Sequence, residues 1–452
     1  MASIVGPADI VLYVFPAAAV CSAGVLLLRR QWYAYLVLVL GLWLFSPELR
    51  RIVDWQTAYH DVSPILAAAP LASLLSIPLA LIPRRRVHAD AQIAVVAAMI
   101  ACGYGFAVGL VLNGRSPAFL DLLDYVAPLG LGLFVLSVPS DDAPLRRAIQ
   151  RTAFVGVLVI GVYGLVQFLL APAWDTQWLV DSDFSSGGQP EPLGIRVFST
   201  LDSPGPMART LSVLLLLLIG RGKSVLAGVA SVAGLLVLGL SLVRSAWLGL
   251  LLAGALLIYR RSVHPIRVLA TGAVAVALLA SLSGPILSTL SERVHDTVGT
   301  GYSDTSLQAR LSFQDAIATK SIADPVGEGL GSTGVALKVA ASDPRNPHFR
   351  HFDSGIFEVL TVFGSLLGIS ILLTVAFCAS RAILRTSRMP LFYQACSSAL
   401  AALILQLFFT NTLKQVVGAL TWVLIGLLGR ESISYHRNRK GSLVKSNLSL
   451  QS

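Results

Sequence analysis

Apolar stretches of membrane-spanning length alternate with short polar connections along almost the whole chain. Runs bounded by charged or turn-forming residues fall at 10–28, 32–46, 62–82, 91–112, 118–138, 152–172, 207–220, 224–240, 245–259, 268–287, 354–378, 392–410 and 415–429. A helix needs about 20 apolar residues to cross the hydrocarbon core, so these runs predict about thirteen spans. Several are shorter, and a short pair could turn back within the membrane instead of crossing it. The pattern breaks once, over 288–353, the longest polar stretch of the chain. That stretch holds Arg293, Arg310, His348, Arg350, His351 and Asp353. Lipid cannot satisfy such groups, so they must lie in water or line a cavity. Five regions follow: an N-terminal bundle (1–172), core helices with a short polar segment (173–287), the long loop (288–353), the C-terminal helices (354–429) and a basic tail (430–452).

Basic residues sort the connections into two sets. With the N-terminus outside and every run crossing, one set carries Arg29 and Arg30, Arg84, Arg85 and Arg86, Arg146, Arg147 and Arg151, and Arg221 and Lys223. It continues with Arg260, Arg261 and Arg267, then Arg381, Arg385 and Arg388, and ends in the tail with Arg430, Arg437, Arg439, Lys440 and Lys445. Short connections of the other set hold isolated charges, such as Arg115, Arg244 and Lys414. Lysine and arginine accumulate on the cytoplasmic side of membrane helices, so the long loop is expected outside.

Composition agrees with this pattern. The mean hydropathy is +0.74, and only 13% of residues are charged, against about 25% in soluble domains. The expected class is an all-α, polytopic integral membrane protein of about 12–13 helices. A net charge of +10 would suit nucleic acid, but most of that charge marks topology. Acidic residues outnumber basic ones in the loop, so no nucleic-acid partner is expected. Cys21, Cys102, Cys378 and Cys396 all lie in apolar runs without CxxC spacing. They are expected as buried small hydrophobes, with neither a disulfide framework nor a zinc site.

Inside the loop, 305–320 reads as a helix, capped by Asp304, Thr305 or Ser306 and apolar along Leu307, Leu311 and Ile317. It is expected to end before Ala323, with Gly327-x-Gly329-x-Gly331 following as a flexible turn. No strand precedes these glycines, so they are no dinucleotide fingerprint. The other polar segments are 47–61 and 173–206, the latter rich in proline, glycine and serine. Trp174 and Trp178 read either as an interfacial aromatic belt or as a sugar-stacking platform. Asp181 and Asp183 read as exposed, while Asp121 and Asp124 share one face of the fifth run and suit either proton coupling or a place near the interface.

Four features on the outer side could act together: Arg196, Arg244, Arg310, and the group His348, His351 and Asp353. Arg244 sits between two very apolar runs, where a lone arginine costs a few kcal/mol without an anion. Planar guanidinium groups grip phosphate oxygens in pairs, so three of them suit a diphosphate. A histidine nearby can accept a proton at neutral pH. Set against this, each arginine could be an ordinary snorkelling anchor and each histidine a plain loop residue. No metal-ligand spacing and no cofactor motif accompanies them.

At these residues the chain resembles the O-antigen ligase and polysaccharide polymerase family of bacterial membrane proteins. The similar segments are Arg196-Val-Phe-Ser-Thr with Ser203-Pro-Gly, then Leu242-Val-Arg244-Ser-Ala-Trp247. Gln308-Ala-Arg310 with the stretch from Asp324 to Gly331, and His351-Phe-Asp353-Ser-Gly-Ile-Phe-Glu, complete the series in order. The resemblance implies a metal-independent glycosyltransferase of the bacterial inner membrane, with its active side periplasmic and no cofactor. Its donor would be an undecaprenyl-diphosphate-linked glycan, and its acceptor a lipid-linked glycan or lipid A core. Arg196, Arg244 and Arg310 would bind the diphosphate, and the His351 region would face the acceptor. Phe352 stands where the family has asparagine after its histidine, so His351, His348 and Asp353 all remain candidate bases. The Asp353-Ser-Gly variant tilts the expectation toward polymerase over ligase. A flippase or transporter is the alternative of another class, and it would place charges along several spans near the midplane.

Overall fold

The computed structural model describes residues 7–80, 87–138, 142–182, 187–219, 224–264, 266, 272–274, 277, 318–334, 352 and 354–430. Among these residues the chain is helical, and the only extended pairing is an isolated bridge between Gly188 and Ile195. In chain order the first helices are α1 (Pro7–Leu28), α2 (Trp32–Gln56), α3 (Ala68–Leu74), α4 (Ile77–Ala80), α5 (Ala89–Leu112), α6 (Arg115–Ser137) and α7 (Asp142–Leu170). They are followed by α8 (Ala173–Asp181), α9 (Pro204–Ile219), α10 (Val225–Leu240), α11 (Arg244–Tyr259), α12 (Gly355–Thr386) and α13 (Leu391–Gln406), and then α14 (Gln415–Arg430). Five segments are long and apolar enough to cross a membrane: Ile10–Leu28, Ala89–Leu112, Arg115–Ser137, Ala143–Leu170 and Gly355–Thr386. The run expected at 268–287 lies almost wholly outside the described residues.

The third expected run, 62–82, is not one helix. A short 3-10 turn at Pro64–Ala67 leads into α3, which stops at Leu74, and α4 starts again at Ile77. Pro78 explains the stop. A proline ring clashes with the carbonyl four residues earlier and offers it no N–H, and that carbonyl belongs to Leu74. Ser76 bridges the break by donating to the Ser73 carbonyl at 2.7 Å. One cysteine also departs from expectation. Cys102, Cys378 and Cys396 are buried, but Cys21 is exposed, because it lies on a face of α1 that carries Tyr13, Val14 and Val25 outward.

Most buried side chains are leucine, valine and alanine, and they form one continuous core across the helices. Glycines let helix backbones close up: Gly161 of α7 lies against Ala233 and Gly234 of α10, and Gly132 of α6 against Trp422 of α14. Polar contacts then sort the helix ends into two groups. At one end Arg260 donates to Ser397 and to the Ile383 carbonyl, Arg385 pairs with Asp90 at 2.8 Å, and Arg430 donates to the Val135 carbonyl. At the other end Arg196 reaches Ser241, Asn113 reaches Glu328, and Asn411 reaches Tyr125. Arg196, Arg244, the glycine-rich segment and the start of α12 all belong to this second end, so the candidate chemistry is gathered there.

Candidate functional site

Arg196 lies in the irregular segment between α8 and α9. Its backbone N–H donates to the Gly187 carbonyl at 2.8 Å, beside the bridge at Ile195. Its guanidinium is half-buried, and Nε donates to the Ser241 carbonyl at 3.0 Å while a terminal nitrogen approaches that of Leu242 at 3.5 Å. These two carbonyls close α10, and Arg244 opens α11 directly after them. The structure therefore brings Arg196 against the hinge that carries Arg244. Arg244 is exposed at the first turn of α11 and makes no hydrogen bond or ion pair with the described residues. Leu242 at this hinge has φ 56°, a left-handed conformation that costs a branched residue about 1 kcal/mol or more.

The segment after Arg196 is held from beneath by buried polar side chains. Gln167 of α7 accepts from the N–H groups of Phe198 and Ser199 at 2.9 and 2.8 Å. Arg51 of α2, fully buried, donates to the carbonyls of Ser199 and Leu201. Arg51 also contacts Glu48 and pairs with Asp175 of α8 at 2.7 Å. Asp175 is satisfied further by Tyr163 at 2.6 Å and Gln167 at 2.8 Å. The Arg51 guanidinium also lies 4.8 Å from the Phe198 ring centre, close enough for a cation–π contact. A buried charge is tolerable only when paired and hydrogen-bonded in this way. Neither of the two readings offered for the tryptophans covers both. Trp178 is buried against Phe198, whereas the Trp174 indole donates to Glu48 and Tyr163 and its ring meets Trp55 edge-on at 6.1 Å.

The glycine-rich segment is pinned, which corrects the expectation of a flexible turn. Residues 318–323 are helical and the helix ends before Asp324, where Pro325 stops it. The chain then passes between α5 and α12 as an irregular segment. Glu328 and Gly329 donate to the carbonyls of Thr361 and Val362 at 2.8 and 3.0 Å, and Leu330 donates to Gly105 at 2.8 Å. Those α12 carbonyls are free because Gly364, at φ 76° and ψ 164°, breaks the helical ladder. The Ser365 N–H thereby released donates instead to the Asp324 carbonyl at 2.8 Å. Asn113 caps the carbonyls of Glu328 and Leu330 from the end of α5. Gly327, Gly329 and Gly331 all have positive φ, and a Cβ on Gly329 would strike the backbone of Gly109.

Beside this segment sits a second buried cluster. Lys414, in the turn between α13 and α14, pairs with Glu358 of α12 and lies 3.6 Å from Asp121 of α6. Asp121 also accepts from the Gly331 N–H at 3.0 Å, and Thr333 donates to Glu358 at 3.2 Å. Burial alone would lower the Lys414 pKa, but Glu358 and Asp121 outweigh it and hold that pKa well above the ordinary value. Asp124 accepts from Gln415 at 2.8 Å. Asp121 and Asp124 thus join the glycine segment to the last helix.

Of the residues singled out from sequence, Arg196 is brought against the Ser241 and Leu242 carbonyls that precede Arg244; Arg310, His348, His351 and Asp353 lie outside the described residues. Asp181 is exposed, and Asp183 lies outside them. Arg51, Gln167 and Asp175 escaped sequence reading because the segments they join, α2, α7, α8 and 198–201, meet only in the fold. The one available signal was Arg51 itself, a charge close behind an apolar run. Among the described residues no group of three or more His, Cys, Asp or Glu is placed to hold a metal ion. No known family model matches the chain, and no curated protein matches it.

Proposed function

We propose that the protein is a membrane glycosyltransferase that takes a glycan from undecaprenyl diphosphate in the outer leaflet of a bacterial inner membrane. Its product in this reading is a longer lipid-linked chain, built by polymerising repeat units of O-antigen or exopolysaccharide. Arg196, Arg244 and Arg310 bind the diphosphate. One of His351, His348 and Asp353 removes the proton from the acceptor hydroxyl. The hydroxyl oxygen attacks the anomeric carbon of the donor, the bond from that carbon to the diphosphate breaks, and the diphosphate leaves with the electron pair. Guanidinium groups held in place for that growing charge lower the barrier without metal or cofactor.

The observation that carries this reading is the bond from Arg196 to the Ser241 carbonyl, next to Arg244. It joins two arginine-bearing segments at one end of an apolar bundle, and Arg244 pairs with no described acid. At a membrane surface two arginine-bearing segments held side by side favour a phosphate ligand. The buried ion pairs Arg51–Asp175, Lys414–Glu358 and Arg385–Asp90 sit at the bundle ends, whereas a transporter would carry its charges near the midplane.

The test supplies the purified protein with one undecaprenyl-diphosphate-linked repeat unit and separates the products by size. A ladder of lipid-linked chains is the expected result. Consumption that begins only when lipid A core is added would make the enzyme a ligase, and no consumption with either acceptor would end the proposal. Activity is expected to persist in EDTA.

A further inference from the structure

Ser199 lies three residues beyond Arg196, wholly buried, with φ 49°. This is the left-handed region, which a non-glycine residue keeps only where its surroundings impose it. No helix end accounts for it, because α9 starts only at Pro204. Side chains from two other helices impose it instead. Gln167 takes the N–H groups of Phe198 and Ser199, and Arg51 takes the carbonyls of Ser199 and Leu201. Asp175 fixes both, through Arg51 Nε and Gln167 Nε2. The Ser199 hydroxyl adds a bond to the Ile160 carbonyl at 2.8 Å. Arg51 is fully buried, and its donors are engaged by Glu48, Asp175 and the two carbonyls, so it has no open face for a substrate.

We infer that Arg51 and Gln167 are positioning residues that act through Arg196. They hold 198–201 in its left-handed turn, and that turn sets where the Arg196 guanidinium stands against the Ser241 and Leu242 carbonyls. The inference rests on the proposed role of Arg196 toward the donor diphosphate. If the network served stability alone, its loss would lower the melting temperature and leave turnover per folded molecule unchanged. A positioning network alters turnover in folded protein, and does so only while Arg196 is present.

The experiment is a double-variant cycle on the purified full-length protein. It reads kcat and donor KM with an undecaprenyl-diphosphate-linked repeat unit, alongside the melting temperature. Gln167→Leu removes the side-chain oxygen that accepts from both backbone N–H groups and leaves Asp175 paired with Arg51 and Tyr163; it is expected to lower kcat about tenfold while donor KM stays within about threefold. Arg196→Lys lowers kcat further, and Gln167→Leu combined with Arg196→Lys falls no lower than Arg196→Lys alone. Ser199→Gly, which adopts the turn without strain, restores most of the kcat lost in Gln167→Leu. If Gln167→Leu does not fold, the cycle is run in the Ser199→Gly background. Losses that multiply in the double variant, or an unchanged kcat in Gln167→Leu, overturn the inference and leave the donor reading standing. An Arg196→Lys protein as active as the parent sinks both.

Discussion

Arg51 and Arg244 show how differently two arginines on one bundle end can behave. Arg51 is fully buried and its guanidinium is held by Asp175, Glu48 and two backbone carbonyls, while Arg244 is exposed with no described acid beside it. Replacing Arg51 with methionine would strand Asp175 and Glu48 in an apolar interior. Breaking a buried pair from one side costs about 3–5 kcal/mol, so a clear fall in melting temperature is expected. Arg244→Ala should leave the melting temperature near the parent's and abolish glycan transfer; measuring both on the same preparation separates the two roles. The sequence makes Arg244 conspicuous, because a lone charge between apolar runs has an obvious cost. Arg51 is no less costly, yet Asp175 lies on α8 and the carbonyls that Arg51 reaches lie on the segment before α9, and no local spacing foretells that meeting.

Elements were legible wherever the apolar period was long and uninterrupted, as in α5, α6 and α7. They were less so at the two places where the chain leaves helical geometry. Pro78 divides the third run, and Gly364 interrupts α12 so that another segment can use its freed groups. The glycines at 327, 329 and 331 signalled a turn, but not that the turn would be packed against Gly105 and Gly109 of α5. This packing gives a sharp comparison within one helix. A Cβ on Gly109 would collide with the Leu330 backbone, whereas one on Gly103 would meet nothing within 4 Å. Gly109→Ala should lower the melting temperature and expose the 324–333 segment to protease, because its hydrogen bonds to α5 would be pushed apart. Gly103→Ala should be neutral or slightly stabilising, alanine being favoured over glycine in a helix by up to about 1 kcal/mol. Equal sensitivity of the two variants would contradict this packing.

At the scale of the whole molecule, the distribution of basic residues carried more information than any motif. Arg260, Arg385 and Arg430 meet at one end, and Arg196, Lys414 and the glycine segment gather at the other. Asp61 and Arg30 are both exposed, Asp61 just beyond α2 and Arg30 just before it. In a Cys21→Ser background, Asp61→Cys and Arg30→Cys should therefore react with a membrane-impermeant thiol reagent from opposite faces of a sealed vesicle. Labelling of both from the same face would refute a crossing by α2. The acid–base half of the proposed chemistry, at His348, His351 and Asp353, rests on the sequence pattern alone.

The break at Gly364 has a consequence for how α12 meets the bilayer. Its 32 residues would make a rod of about 48 Å at 1.5 Å per residue, far longer than a hydrocarbon core of about 30 Å. Unbroken, such a rod would have to tilt steeply or thicken the lipid around it. The break divides it into unequal parts. The portion from Ser365 to Thr386 is about 33 Å long, already a match to the lipid, and the short portion from Gly355 to Phe363 is released from any duty to span. That short portion carries Glu358 and directly follows the loop, so its tilt can be set by the neighbours it touches while the membrane thickness fixes only the rest.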